Sequence, residues 1–236
     1  MKRLFLIIAL LSSIFLTSCI DADGNIVTPS KMEVVIVSGE EVSGLVTQTG
    51  LVFEERYQGM YLNGTGTDGA EYPQANFRGN DNAGTVEVWA STLGAGDYTL
   101  FSAGDEVGGT QYWTLRLIGG KLFASQLTSG SLNIAESNIT FNDGLVHQFV
   151  VTSNSTNKKL YIDGAAAAFT WSSGSDNGLW FNDHSNTLDN VYVGSMHWNG
   201  TYGQGMVGYI YEVRVYSNAL SPAEILTNYN LRSPAY

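Results

Sequence analysis

Cysteine is almost absent from this chain. Cys19 stands alone in 236 residues, so no disulfide can form within the chain and stability has to come from a packed core. Histidine is nearly as scarce: His147, His184 and His197 are the only three, and no Cys or His cluster has the spacing of a zinc site. No Gly-x-Ser-x-Gly elbow occurs, which removes the usual setting of a nucleophilic triad. Residues 64–69 (GTGTDG) are glycine-rich but lack a Gly-Lys-Ser/Thr ending and a following helix, so they read as a turn-rich loop and not as a phosphate cradle. Basic residues are few as well. The 11 Lys plus Arg against 22 Asp plus Glu give a net charge of −11. That balance argues against nucleic acid or an anionic lipid face as partner, and suits neutral glycans, cationic partners or calcium.

The long apolar run lies at the start. Lys2 and Arg3 precede residues 4–11 and Ile14, Phe15 and Leu16, a stretch shorter than a membrane-spanning helix needs. Leu16-Thr17-Ser18-Cys19 follows and resembles the bacterial lipobox. By that resemblance residues 1–18 are a lipoprotein signal peptide, and Cys19 becomes the diacylated N-terminal residue, inserted in a lipid bilayer. The address implied is the bacterial cell envelope, at the outer membrane or the cell surface. An ordinary secretory signal with an incidental cysteine is the alternative. Residues 19–43 then read as a tether rich in Asp, Gly, Pro and Ser. Asp21 and Asp23 resemble acidic surface-export signals, or are plain solvated linker residues. Residues 32–37 (MEVVIV) are apolar enough for a strand at the edge of the domain, which occupies 44–236.

What is abundant points to sheets. The chain is 44% hydrophobic, with 27 Gly and 13 Tyr, and its frequent Gly, Asn, Ser and Thr favour many short strands joined by turns. Residues 205–230 organise the rest. In YIYEVRVY, Tyr209, Tyr211, Val213 and Val215 alternate with Ile210, Glu212, Arg214 and Tyr216, which predicts a strand with those two sets on opposite faces. A turn at Ser217-Asn218 leads to Ser221-Pro222-Ala223-Glu224, a helix start with Ser as N-cap, Pro at the first helical position and Glu three residues on. Ile225, Leu226 and Tyr229 are expected to pack that helix onto the sheet. Gly119-Gly120 and Asp163-Gly164 predict tight hairpin turns.

This strand–turn–helix ending resembles the close of laminin-G-like, concanavalin-A-like jelly-roll domains, through Gly208, Ile210, Glu212, Val213, Arg214, Val215, Tyr216, Ala219, Leu220, Ser221, Glu224 and Ile225. Tyr211 stands where those domains usually carry Asp. Residues 84–90 (GTVEVWA) resemble their Thr-Val-Glu-Ala-Trp strand. His147, Phe149, Val151 and Thr152, followed by Leu160, Tyr161, Asp163 and Gly164, resemble a third motif of the same domains. Three motifs in the right order, spanning about residues 50–230, imply an all-β jelly roll of two antiparallel sheets with a short C-terminal helix.

The fold so implied also hosts glycoside hydrolases, which need two carboxylates flanking the scissile bond. No Glu-x-Asp-x-x-Glu pattern occurs, and Glu40-Glu41 and Asp105-Glu106 are adjacent pairs that a strand would point apart. Glu87 and Glu212 could meet across the sheet, or one could pair with Arg214 as a structural ion pair. No enzyme is expected. Calcium is possible by resemblance, but the two positions where acids are expected hold Asn63 and Tyr211. A loop bearing Asp176, Asn177, Asn182, Asp183, Asp189 and Asn190 is the other place for an ion, or is simply solvated. Exposed aromatics beside Asn and Asp suit sugars, whose apolar faces stack while hydroxyls are hydrogen-bonded. The richest such segment contains Trp171, Trp180, Phe181, His184, His197, Trp198 and Tyr202, interleaved with Asn182, Asp183, Asn186 and Asn199. The candidate ligand residues are Trp171, Trp180, Asp183, His184, Trp198, Asn199 and Tyr202. In the opposing reading Trp171 and Trp180 fill the sandwich while Trp198 covers an edge. The expected function is a lectin-like lipoprotein module that binds a glycan or a glycosylated partner. A protein adhesion or scaffold module is the alternative, and a hydrolase with unrecognised acids the third.

Overall fold

Every residue of the strand Gly84–Ser91 is buried, although it alternates apolar with polar. Such a strand must be covered on both faces, one by hydrophobic packing and the other by a hydrogen-bonded layer. The computed structural model shows how. It describes residues 50–73, 77–106, 111–184 and 188–232, together with a small strand pair, β1 (Cys19–Ile20) with β2 (Ile26–Val27). That pair falls in a unit of residues 1–32, separate from the unit 33–236 that holds the sandwich. The signal segment, Asp21 and Asp23, the expected strand at 32–37 and Asn186 lie outside the described residues.

The sandwich begins with β3 (Leu51–Asn63), β4 (Ala70–Pro73), β5 (Gly84–Ser91) and β6 (Asp97–Gly104). A meander of β7 (Tyr112–Ile118), β8 (Lys121–Thr128) and β9 (Ser131–Thr140) follows, then β10 (His147–Ser153), β11 (Lys158–Ile162), β12 (Ala165–Ala166) and β13 (Phe169–Ser173). After a single 3-10 turn at Phe181–His184 come β14 (Asn190–Val193), β15 (Met196–Trp198), β16 (Thr201–Gly203), β17 (Val207–Tyr216) and the helix α1 (Pro222–Arg232). One sheet has the order β12-β11-β10-β5-β17-β3 and the other β13-β9-β8-β7-β6-β14-β4, with β15 and β16 forming a separate hairpin. All the pairings are antiparallel, as the jelly-roll resemblance implied. Gly119-Gly120 and Asp163-Gly164 make the two hairpin turns expected of them, each with both residues at positive φ.

Between the sheets lies one apolar cluster. Val86, Val88, Phe149, Val151, Val213 and Val215 from one sheet meet Phe101, Trp113, Leu115, Leu117, Val191 and Val193 from the other. Each large side chain so buried contributes about 1.5–3 kcal/mol. The outer face of the six-stranded sheet carries the polar layer. Glu87 accepts hydrogen bonds from Trp89 Nε1 at 2.9 Å, Gln148 Nε2 at 2.8 Å and Asn228 Nδ2 at 2.9 Å. Arg214 donates to Glu54 at 2.8 Å and to Glu212 at 2.6 Å, the structural ion pair anticipated for that region. Helix α1 closes over this layer. Ser221 and Glu224 exchange capping bonds of 3.3 and 2.7 Å, and Tyr229 stacks on Trp89 with centroids 5.8 Å apart.

Two expectations need correction. Leu226 does not pack inward: it is 46% exposed, and Asn228 takes the inner position because Glu87 offers it a partner. Nor does the alternation from Tyr209 to Tyr216 run unbroken. Against β5, a bulge between Ile210 and Glu212 inserts Tyr211 as an extra residue, while on the β3 side residues 57–59 stand opposite it. The pleat therefore reverses, Ile210 joins Val213 and Val215 in the core, and Tyr209 and Tyr211 turn away from it.

Candidate functional site

Strand β14 positions the site. Val191 and Val193 point into the core, so the pleat sends Asn190 and Tyr192 to the outer face of the seven-stranded sheet. The chain then turns at Gly194 and returns as the β15–β16 hairpin. Asn199 and Gly200 form its two-residue turn, with φ of 52° and 68°, the left-handed conformation that such a turn requires and that Asn-Gly supplies most cheaply. The turn is docked by backbone bonds from Asn199 N–H to the Asp105 carbonyl at 3.1 Å and from Gly200 N–H to the Glu106 carbonyl at 2.7 Å.

The hairpin has two faces. His197 and Tyr202 are cross-strand partners whose rings stack almost parallel, with centroids 4.0 Å apart. His197 Nδ1 lies 2.8 Å from both the Glu106 carboxylate and the Tyr192 hydroxyl, and Tyr192 donates to Glu106 at 2.7 Å. The Asn190 amide reaches Glu71 at 3.2 Å and also donates to Glu106. Tyr202 hydroxyl is 3.5 Å from the other Glu71 oxygen. These bonds, that from Tyr192 first, hold the Glu106 carboxyl below its usual range, while burial and Glu106 push the Tyr192 phenol well up. A carboxylate pinned in its ionised form by several donors is suited to accepting hydroxyls and unsuited to general-acid work. On the hairpin's other face Trp198 packs edge-on against Tyr112 at 5.4 Å. There Met196, Trp198, Asn199, Thr201, Gly203 and Gln204 line an open pocket of about 260 Å³. Tyr202, on the first face with His197, is 43% exposed.

The structure divides the seven residues singled out from the sequence. Trp198, Asn199 and Tyr202 share the hairpin. Trp180 does not reach the surface: it is fully buried against Trp113 and Phe181, because the 3-10 turn drives it between the sheets. His184 is equally buried, bonded to the carbonyls of Trp180 at 3.0 Å and Tyr112 at 3.1 Å, and burial lowers its pKa so that it stays neutral. Asp183 accepts the Trp180 amide at 2.7 Å and borders a separate polar pocket of about 210 Å³ with Asn82, Asn177 and Asn182. Trp171 sits on β13, at the far edge of the sheet, packed against the core. Trp171 packs on the core between the sheets, whereas Trp198 lies against Tyr112 of β7, three strands away on the outer face, so the two do not share one surface.

Of the residues considered for calcium, Asn177, Asn182 and Asp183 border the same polar pocket, and others are engaged elsewhere. Asn63 Oδ1 accepts the Thr65 amide at 3.0 Å, Asp176 accepts the Lys158 amide at 2.8 Å, and Asp189 lies 3.4 Å from the Glu106 amide. Among the described residues no group of three or more His, Cys, Asp or Glu side chains converges as a metal site. Sequence reasoning missed Glu71, Glu106, Asn190 and Tyr192 as members of one cluster. The Asn199-Gly200 dipeptide was the signal that could have found the hairpin carrying its other half.

A two-layer antiparallel sandwich closed by a short C-terminal helix defines a jelly-roll domain. The chain belongs to the concanavalin A-like lectin/glucanases superfamily: the Laminin_G_3 family profile matches residues 63–226. No curated protein matches it in sequence. Among solved structures it is similar to the Ruminococcus gnavus IT-sialidase CBM40 bound to alpha2,3 sialyllactose, with a TM-score of 0.63 and 16% identity over 76% of this chain and 99% of that one. It is also similar to the K499G mutant of NanB sialidase from Streptococcus pneumoniae, with a TM-score of 0.59 and 13% identity over 75% of this chain and 28% of that one. Domains LG4-5 of the mouse laminin alpha1 chain match with a TM-score of 0.50 and 15% identity, over 79% of this chain and 48% of theirs. At such identities the likeness is one of fold.

Proposed function

We propose that this chain is a non-catalytic carbohydrate-binding module whose glycan seat is the β15–β16 hairpin and the corner beneath it. The observation that carries the reading is the convergence of exposed Tyr202, stacked on His197, with Glu71, Glu106 and Asn190, an aromatic surface beside hydroxyl acceptors, while Trp198 lines the pocket on the hairpin's other face. The fold likeness to a module bound to sialyllactose supports glycan binding as the general function. The local charge favours a neutral sugar over a sialylated one. Glu71 and Glu106 would face an incoming carboxylate, and Arg116, on the same sheet, is tied to both oxygens of Asp97 at 3.0 and 3.2 Å. In this reading residues 19–43 tether the module to a bacterial membrane through acylated Cys19, at the outer membrane or cell surface.

A glycan array probed with the full chain in detergent tests the proposal. Neutral glycans should bind, sialyllactose should bind more weakly than lactose, and Trp198→Ala or Tyr202→Ala should weaken binding tenfold or more, about 1.4 kcal/mol. Tighter binding of sialyllactose would overturn the charge argument, and a blank array from folded protein would shift the reading to protein adhesion. Repeating the titration with calcium and with chelator assigns the ion to the site, to stability or to neither. Loss of radiolabelled lipid on Cys19→Ser tests the anchor.

A further inference from the structure

We propose that the binding surface continues from the hairpin, round the edge of the sandwich, onto a row of tyrosines formed by Tyr61, Tyr209 and Tyr211. The ligand is then an extended, uncharged polysaccharide chain and not a single terminal sugar. This rests on the reading of the hairpin as a glycan site.

The row lies on the outer face of the six-stranded sheet. Tyr61 and Tyr209 are cross-strand partners with ring centroids 5.2 Å apart, and Tyr211 continues the line 6.3 Å beyond Tyr209 at an interplanar angle of 28°. Tyr61 is 61% exposed and Tyr209 43%, in a protein that buries Trp89, Tyr161 and Tyr216 almost completely. Local devices build the row. The bulge in β17 turns Tyr211 outward, and Gly59, with φ of 82°, bends β3 beneath the rings, where a Cβ would make ordinary contact with Tyr211 at 3.4 Å and Tyr209 at 3.6 Å. The neighbours along the row are uncharged: Ser91 pairs with Tyr209, and Val207 pairs with Asn63. The first charges met along β17 and β3 are Glu212 and Arg56, which are bonded to each other at 2.9 Å. Stacking and hydroxyl contacts are therefore what the row offers.

Continuity with the hairpin comes from the β3–β4 loop. Tyr61 lies two residues before Asn63, about 7 Å along the strand. The loop that leaves Asn63 abuts β16 so closely that a Cβ on Gly66 would fall 2.6 Å from the Gly203 amide nitrogen, one residue from Tyr202. The path thus runs from Tyr202 over this loop, which carries Asp68 and no aromatic side chain, to Tyr61 and Tyr209. It is a strip about one side chain wide, which suits a linear chain. A standard protein partner needs about 800 Å² on each side.

The test compares neutral cello-, xylo-, manno- and laminari-oligosaccharides, dimer through octamer, titrated calorimetrically against the full chain in detergent. For the class that binds, the octamer should bind about tenfold more tightly than the dimer. The double variant Tyr61→Ala/Tyr209→Ala should abolish that gain while leaving the dimer affinity unchanged, and Tyr209→Phe should retain it. Tyr202→Ala should weaken dimer and octamer alike. Equal affinities for dimer and octamer, or a gain that survives the double variant, would overturn the tyrosine row while leaving the hairpin site standing. Loss of self-association in the double variant, without loss of the gain, would assign the row to a second copy. Failure of all four series would overturn the tyrosine row, and the array, which includes lactose, decides the hairpin independently. The two tyrosines are exposed, so an unchanged melting profile is expected and separates ligand effects from folding.

Discussion

Replacing Arg214 with Met should destabilise the protein by about 3–5 kcal/mol, although Met is the more hydrophobic residue. Arg214 is almost wholly buried and lies among three carboxylates, with Glu54 at 2.8 Å, Glu212 at 2.6 Å and Glu87 at 4.0 Å. Arg56 and Arg232 contact Glu54 and Glu212 from the more exposed side, at 2.8–3.7 Å, so they compensate only in part. Without the central guanidinium, carboxylates with almost no exposure lose their main countercharge. The pH dependence identifies the cause. Burial raises the Glu212 carboxyl, with Arg214 as the chief offset, whereas in Glu54 the pull of Arg214 and Arg56 outweighs burial and leaves its carboxyl below the ordinary range. A depressed carboxyl contributes stability above its unfolded pKa and loses it as pH falls. A raised one favours the fold when protonated. Removing Arg214 weakens the first contribution and enlarges the penalty on the second, both at neutral pH. The gap between wild type and variant should thus be widest near about pH 7 and narrow toward about pH 4. Thermal unfolding followed by circular dichroism should show a drop of roughly 6–20 °C at neutral pH. Adding Glu212→Gln should recover part of it. A drop independent of pH would show that water screens the cluster and that the argument from buried charge is wrong.

Trp180→Ala should lower stability by about 3–5 kcal/mol through the cavity it leaves against Trp113 and Phe181, yet leave glycan affinity unchanged well below the melting temperature. An affinity loss there with normal stability would return Trp180 to the binding surface. His147 is held between Asp163 at 2.7 Å and Asp143 at 3.1 Å, and the bond to Asp163 chiefly raises its pKa. Its contribution is present below the unfolded pKa and lost as pH rises through the folded one. His147→Gln should therefore cost more at about pH 5.5 than at about pH 8.5, as read by chemical denaturation. Ser221→Ala removes half of the capping box on α1 and should cost about 1 kcal/mol, with fluorescence of Trp89, stacked on Tyr229, reporting the loosened helix.

Much of the architecture was legible locally. The Gly119-Gly120 and Asp163-Gly164 turns and the Ser221–Glu224 box each follow from steric or hydrogen-bonding rules that act within a few residues, and each forms as expected. The bulge at Tyr211 was not legible. An extra residue changes the pleat only when the partner strand shows which residue is left unpaired, and β5 and β17 are more than a hundred residues apart in sequence. The site failed to read for a similar reason. Trp171, Trp180 and Trp198 look alike in sequence, each set among Gly, Ser and Asn. Their fates differ because one lies on an edge strand, one is driven between the sheets by a 3-10 turn, and one rides a hairpin on the outer face.

By itself the sequence determined the strand-rich character, the capped helix and the acidic charge, because periodicity, turn chemistry and composition are local properties, while the two-sheet jelly roll came through the resemblance of three motifs. Tertiary structure alone decided which aromatics face water. It also decided that Glu71, Glu106, Asn190, Tyr192 and His197 meet at one corner, and that Arg214 neutralises a buried group of acids. Those outcomes depend on register between distant strands, and a shift of one residue would exchange every inward side chain for an outward one.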